Sequence, residues 1–401
     1  MPVPMPPLAI RAFTVTSALG HGLDAHRTAL AQARGGLRPN DISSAPLDCW
    51  IGRVDGVEDT ALPAALADWD CRNNRLAWLG LQQDGFLAQV RAARHRYGAD
   101  RVALLLGTST ASIGATEEGY RRLGADGRLP ADLNRPAIHT PHSLARFAAA
   151  ALELRGACLT VSTACSSSAK VFASAERLIR LGLADAAVVG GVDTLCDSVL
   201  FGFNALELVA CGPCRPFDAA RDGISIGEAA GFALLERATA APAAPRLLGW
   251  GESSDAYHMS APHPDGVGAE RAIRDALARA GLEPAHVGYV NLHGTASRKN
   301  DAMEAALLAR LFPPSTRASS TKGYTGHTLG AAGIVEAALT LLAIDDGRVP
   351  GNLGASVPDP ACGPQFAWHG EKRRLDVALS HSFGFGGNNA CLAFARGATR
   401  R

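Results

Sequence analysis

The chain repeats itself, and that repetition limits its folds more than any other feature. "ALLLGTSTAS" (residues 103–112) and "YVNLHGTAS" (289–297) each read as an apolar strand emerging into Gly-Thr. Further on in each half, "TACSSSAKVFASAERLI" (163–179) aligns without a gap on "TGHTLGAAGIVEAALTL" (325–341), which sets Cys165 against His327. Two pairs in the same order indicate a duplicated αβ unit. Packing two such halves about a pseudo-twofold axis brings the start of one core helix beside its counterpart, so a thiol and an imidazole come to share a site.

Length agrees with two units. A chain of 401 residues exceeds what one core usually supports, so we expect an N-terminal unit over 1–240 and a C-terminal one over 241–401. The Ala- and Pro-rich "ERATAAPAAPRLL" (236–248) is the candidate seam. Strand-like runs at 101–109, 157–163, 186–194, 287–294 and 376–384 are almost continuously apolar, the pattern of a sheet buried on both faces, hence an α/β fold. Between them "SAKVFASAERLIRL" (168–181) puts Ala169, Phe172, Ala175 and Ile179 on one helical face, with Glu176, Arg177 and Arg180 away from it.

Composition excludes several partner classes. Lys and Arg total 39 against 38 Asp and Glu, and no basic run is long enough to track a phosphate backbone, so no nucleic acid is expected. No stretch has the length to span a bilayer and none reads as a secretion signal, so the expectation is a soluble cytoplasmic protein without a membrane span. Nine scattered cysteines make poor arithmetic for a disulfide framework and suit a reducing compartment.

Cys165 follows a β-rich run and precedes a long helix. At a helix start, unpaired N–H groups and the macrodipole favour a thiolate, which predicts a thiol lowered from ~8.5 to ~7.5. The other eye-catching thiols, "CGPC" at 211–214, lack the strand-then-helix setting of a redox dithiol. Cys211 ends the helix-prone "FNALELVA" and Cys214 runs into a loop marked by Pro216 and Gly223, so the motif reads as a tight turn. The glycines Gly384, Gly386 and Gly387 precede a strand rather than a dinucleotide-binding helix, so no cofactor is implied. His139 and His142 lack a supporting carboxylate or cysteine cluster, which argues against a metal. His293 and His327 differ from the other histidines: one closes a buried strand, the other opens a helix. Both are flanked by Gly and Thr, and Lys322 lies shortly before His327.

Read in order, "VSTACSSSA", "CRPFDAARDGISIGEAAG", "SSDAYHMSAPHPDG", "NLHGTAS", "STKGYTGHTLGAAG" and "HSFGFGGNNA" resemble the β-ketoacyl-acyl-carrier-protein synthases, specifically the elongating Cys-His-His branch of the thiolase-fold condensing enzymes. The resemblance runs from about residue 8 to the C-terminus. It implies a thiolase-like pair of α/β/α/β/α halves, a dimer with a copy or a synthase-like subunit, and chain extension on an acyl carrier protein without cofactor or metal. Carried over residue by residue, it makes Cys165 the acyl-accepting nucleophile. His293 and His327 hold the malonyl thioester carbonyl and promote loss of its carboxylate, with Lys322 and Glu336 in the supporting network. The backbone N–H groups of Cys165 and Phe385 form an oxyanion hole and Phe385 gates the acyl pocket, while Thr295, Phe383, Ile224 and Asp255 bound the substrate.

The chain also departs from the family pattern. "HGTASRKND" lacks the usual Thr-Pro and runs on to Asp301 and Glu304, His381 replaces a common Asn, "GGNN" replaces "GGTN", and Ile224 stands where an aromatic is frequent. These changes incline the reading toward a specialised polyene or polyketide pathway rather than bulk fatty acid synthesis. A thiolase would use a second cysteine as base, and Cys391 lacks the expected context. An initiating synthase would carry Asn at position 327. A non-catalytic partner subunit, which shapes the pocket of an active synthase, usually lacks the nucleophile that Cys165 provides.

Overall fold

The computed structural model describes residues 4–241 and 243–397. Ten of its strands form one path; in chain order they are β1 (Leu8–Ser17), β2 (Val102–Gly107), β3 (Cys158–Val161), β4 (Ala186–Asp193), β5 (Ala229–Arg237), β6 (Arg246–Ser254), β7 (Tyr289–Asn291), β8 (Arg317–Ser319), β9 (Val377–Gly384) and β10 (Asn388–Ala395). Their spatial order is β8-β7-β9-β10-β6-β1-β5-β4-β2-β3. Each half, counted outward from the centre, pairs antiparallel, antiparallel, parallel, parallel. The two halves are thus the same topology twice. Among the described residues they join in the sheet where β1 and β6 pair antiparallel, through Leu8–Leu247 and Ala9–Arg246.

Burial explains why these runs become strands. β2, β4 and nearly all of β5 are buried along their length, because helices cover both faces of the sheet. Helices α1 (Ser167–Arg180) and α2 (Ala332–Asp346) pack on each other between the halves, α1 on β2 and β4, α2 on β5 and β9. Outer helices, Arg72–Leu81 on β5 and Val267–Ala280 on β6 and β10, complete the α/β/α/β/α layering. In α1, Ala169, Phe172, Ala175 and Ile179 are all buried, and full burial of Phe172 or Ile179 stabilises by about 1.5–3 kcal/mol each. Glu176 corrects its sequence-based placement. It is 3% exposed and accepts from Trp250 Nε1 (3.3 Å) and Arg180 Nε (3.1 Å), so tertiary contacts from β6 satisfy a carboxylate that helical spacing alone assigns to solvent.

Helix α2 is buried from Ala332 to Ile344 and, Glu336 and Thr340 apart, apolar along that length. Gly333 permits its close approach to α1: a Cβ there would stand 2.4 Å from the backbone nitrogen of Ala169. The same approach is fixed by Ile334 N, which donates to Ser168 Oγ at 3.0 Å. Among the described residues no helix is long and apolar enough to cross a membrane.

Candidate active site

Cys165 stands on the turn between β3 and α1. Ala164 adopts a left-handed φ of +53°, and hydroxyls hold the turn closed: Thr163 N donates to Ser167 Oγ (2.9 Å) and Ser166 Oγ to Thr163 O (2.9 Å). Small residues that bond their own backbone stabilise such a bend. The other half repeats the device. Gly326, with φ +73°, precedes His327, whose N–H donates to Ser225 O (2.7 Å) and whose carbonyl accepts from Gly227 N (2.9 Å). His327 does not itself open α2, as its spacing suggests, because a 3₁₀ turn, Leu329–Ala331, intervenes. His293 leaves β7, with its own N–H and that of Gly294 received by Glu304 at 2.9 and 2.6 Å.

These turns bring the three side chains together. His327 Nε2 lies 3.0 Å from Cys165 Sγ, and the two imidazoles stand edge to face with centroids 5.3 Å apart. One donor atom from each of Cys165, His293 and His327 falls within 4.8 Å of the others. Lys322 and Glu336 form a buried ion pair behind this trio, and Lys322 Nζ reaches His293 Nδ1 at 3.3 Å. Neither lines the cavity in front.

Electrostatics correct one expectation. Burial raises the Cys165 thiol to about 11, against the opposing pull of the Lys322 charge and the Phe385 N–H. The helix start is present, but its contribution of about 0.3–1 kcal/mol is smaller than the cost of desolvating a thiolate. Burial, reinforced by the Lys322 charge, holds both His293 and His327 well below the usual imidazole range, so both are neutral at pH 7. Glu336 is raised by burial toward about 7 while the Lys322 charge pulls it back.

A cavity of about 330 Å³ opens over the trio, and Thr295, Ile224, Phe383, Phe385 and Asp255 all border it. Phe203 from the helix Asp197–Ala205 stacks on Phe385 with centroids 5.4 Å apart. Gly384 runs so close to the nucleophile turn that a Cβ there would stand 3.1 Å from Cys165 N. The Asp255 carboxylate already has partners in the chain: it accepts from Asn389 Nδ2 (2.8 Å) and His263 N (3.0 Å), tying two loops of the cavity wall together.

Of the motifs set aside, Cys214 is buried and Cys211 exposed, both as free thiols. The helix predicted to end at Cys211 ends at Ala205. His139 bonds Thr116 Oγ1 and Leu133 O, and His142 bonds Thr160 Oγ1. Sequence reasoning missed Asp193. Wholly buried at the end of β4, it accepts from Ser109 N (2.9 Å), Thr110 N (3.0 Å) and Gly330 N (2.6 Å), so one carboxylate links the nucleophile's half to the turn after His327. An acid closing an otherwise apolar strand was the available signal. His381, 3.3 Å from Glu304 Oε1, likewise joins the wall behind His293.

The profile "Beta-ketoacyl synthase, N-terminal domain" matches residues 75–241, and "Beta-ketoacyl synthase, C-terminal domain" matches 245–356. A 3-oxoacyl-[acyl-carrier-protein] synthase 2 of Rhizobium meliloti is 42% identical over 261 residues; the match covers 61% of this chain and 62% of that protein, less than two thirds of its length. Nodulation protein E of the same organism is 37% identical over 304 residues, covering 73% and 75%. Among solved structures, a ketosynthase in complex with its chain length factor from Xenorhabdus doucetiae superposes with a TM-score of 0.89 at 37% identity, over 97% of this chain and 98% of that one.

Proposed function

The chain belongs to the β-ketoacyl synthase family, and from that premise we propose that it is a ketosynthase that loads an acyl group on Cys165 and condenses it with a malonyl thioester. The contact of 3.0 Å between Cys165 Sγ and His327 Nε2 carries this reading. A thiol raised to about 11 is almost wholly protonated at neutral pH, so the thiolate forms as it attacks, with the neutral His327 taking the proton. The donor thioester's carbonyl carbon bonds to Sγ and its own sulfur leaves as a thiol. A malonyl thioester then loses carbon dioxide. The electron pair left behind forms an enolate whose carbon attacks the Cys165 thioester, giving a 3-oxoacyl product two carbons longer and freeing the sulfur.

Both steps put negative charge on a carbonyl oxygen. The N–H groups of Cys165 and Phe385 would receive it in the first step, and ring N–H groups of His293 and of His327, the latter in its Nε2–H tautomer once the thiol proton has left with the departing sulfur, in the second. Burial, reinforced by the charge of Lys322 that Glu336 holds in place, keeps those rings unprotonated. In this reading the half 1–240 contributes the nucleophile and the half 241–401 the proton handling. Thr295, Phe383, Ile224 and Asp255 shape the space around the thioester. The donors are acyl and malonyl groups on an acyl carrier protein in the cytoplasm, the chain works as a dimer with a copy or a synthase-like subunit, and the pathway is a specialised polyene or polyketide one.

The test is intact-protein mass after incubation with acyl-carrier-protein thioesters. One acyl mass should appear on Cys165 and none on the Cys165→Ala variant. Label on Cys211 or Cys214 would overturn the assignment, and no label on any thiol would favour a pocket-shaping partner subunit.

A further inference from the structure

The segment after His293 climbs from the trio to solvent in a few residues. His293 is 2% exposed and Thr295 7%, Ser297 is half-buried, and Arg298 and Lys299 are exposed. All five border the same cavity as Cys165. From His293 to Arg298 the backbone can reach at most roughly 18 Å, a span that an extended pantetheine arm also covers.

The two cations at the outer end are unusual in three ways. Neither forms an ion pair among the described residues. They are the first two residues of the helix Arg298–Leu311, the end at which the macrodipole disfavours positive charge. The acid of that first turn, Asp301, points inward, where it accepts from Phe217 N (2.9 Å) and stands 3.6 Å from Arg221, so it does not neutralise them. Lys299 also borders an adjoining depression with Tyr257 and His258. The cavity's three acidic wall residues, Glu207, Asp222 and Asp255, come from other segments; Asp222 stands 3.7 Å from Arg215, and Asp255 is held by Asn389 Nδ2 and His263 N.

We propose that Arg298 and Lys299 are a phosphate clasp at the cavity mouth, taking the phosphate at the far end of a pantetheine thioester whose sulfur sits at Cys165. This rests on the ketosynthase reading for what the arm carries, but the clasp is tested without chemistry. A phosphate placed there meets a guanidinium and an ammonium that otherwise have no counter-charge, and charge-assisted bonds of this kind are the strong ones. The same phosphate occurs on a carrier-borne arm and on free phosphopantetheine or coenzyme A.

Calorimetric binding of 4′-phosphopantetheine and of pantetheine to the full chain tests it. The wild type should bind the phosphorylated compound about tenfold more tightly, with a ratio that shrinks as salt rises. In the variant Arg298→Gln with Lys299→Gln the ratio should fall to near one while pantetheine binding is unchanged, which also shows that the cavity is intact. A ratio near one in the wild type, or a ratio that survives in the variant, overturns the clasp. In acylation assays the variant should raise KM for acyl-phosphopantetheine and carrier-borne donors alike and leave kcat nearly unchanged. A KM effect confined to the carrier-borne donor would overturn the clasp and assign the cations to the carrier's protein surface. A phosphate preference with no acylation of Cys165 by any donor would leave the clasp standing and sink the ketosynthase reading.

Discussion

The turns that carry Cys165 and His327 stand at matching places in the two halves, and they differ in strain and in what they present. Each has a left-handed residue just before the reacting side chain, Ala164 at φ +53° in one half and Gly326 at +73° in the other. Glycine takes that conformation freely, whereas alanine there costs roughly 1–2 kcal/mol. The N-terminal turn therefore holds its thiol under strain, braced by the Thr163, Ser166 and Ser167 bonds. The C-terminal turn holds its imidazole relaxed, clamped between Ser225 and Gly227. Duplication supplied two equivalent positions facing each other, and in the proposed chemistry divergence at single residues makes one a nucleophile and the other a proton acceptor.

That division can be broken most sharply at the imidazoles. In the proposed chemistry, His293→Ala and His327→Ala should each slow carbon dioxide release from a malonyl thioester about 10²–10³-fold. Only His327→Ala should also slow acyl loading in a rapid-quench measurement, because of the two imidazoles it is His327 that bonds the sulfur. Equal loading defects in both variants would refute the division.

The halves should also answer pH from opposite ends. The Cys165 thiol is raised in the folded chain from near 9 to about 11. Its contribution is therefore complete below pH 9 and is lost as pH rises through 11, about 3 kcal/mol in all. Denaturant titrations of wild type and Cys165→Ala should show their stability difference shrinking by that order over this window; a constant difference would mean that the thiol is not buried as described. His293 and His327 are lowered, so their contribution is present above about pH 6.5 and lost on acidification below it. The acid limb should flatten in His327→Gln and not in Cys165→Ala.

The smallest effects probe the turns themselves. Gly326→Ala should destabilise by about 1–3 kcal/mol, since the new Cβ adds left-handed strain and stands 3.0 Å from Ser225 O. Ala164→Gly should change stability by less than about 1 kcal/mol, strain relief being offset by the freedom glycine gains in the unfolded chain. Midpoints from urea unfolding decide both, and equal costs at the two positions would remove the contrast.

Much of the fold was legible because its signals are local. Apolar runs at 186–194 and 376–384 became β4 and β9, and helical spacing marked the buried face of α1. Glu176 and Asp193 were not legible, since their bonding partners lie far along the chain, at Trp250 and Gly330. The thiol's acidity was misread for the same reason: a helix start is visible in a dozen residues, whereas desolvation depends on everything packed around the sulfur.

An α/β duplication resembling the condensing enzymes, with a cysteine and a histidine at matching positions in its halves, can be read from the order of residues alone, because repeat, period and residue type are written there. That these side chains meet at 3.0 Å, that the thiol is protonated at neutral pH and that the imidazoles are neutral emerges with the packed fold. Distance and desolvation belong to the packed assembly of both halves, and no local stretch of sequence contains either.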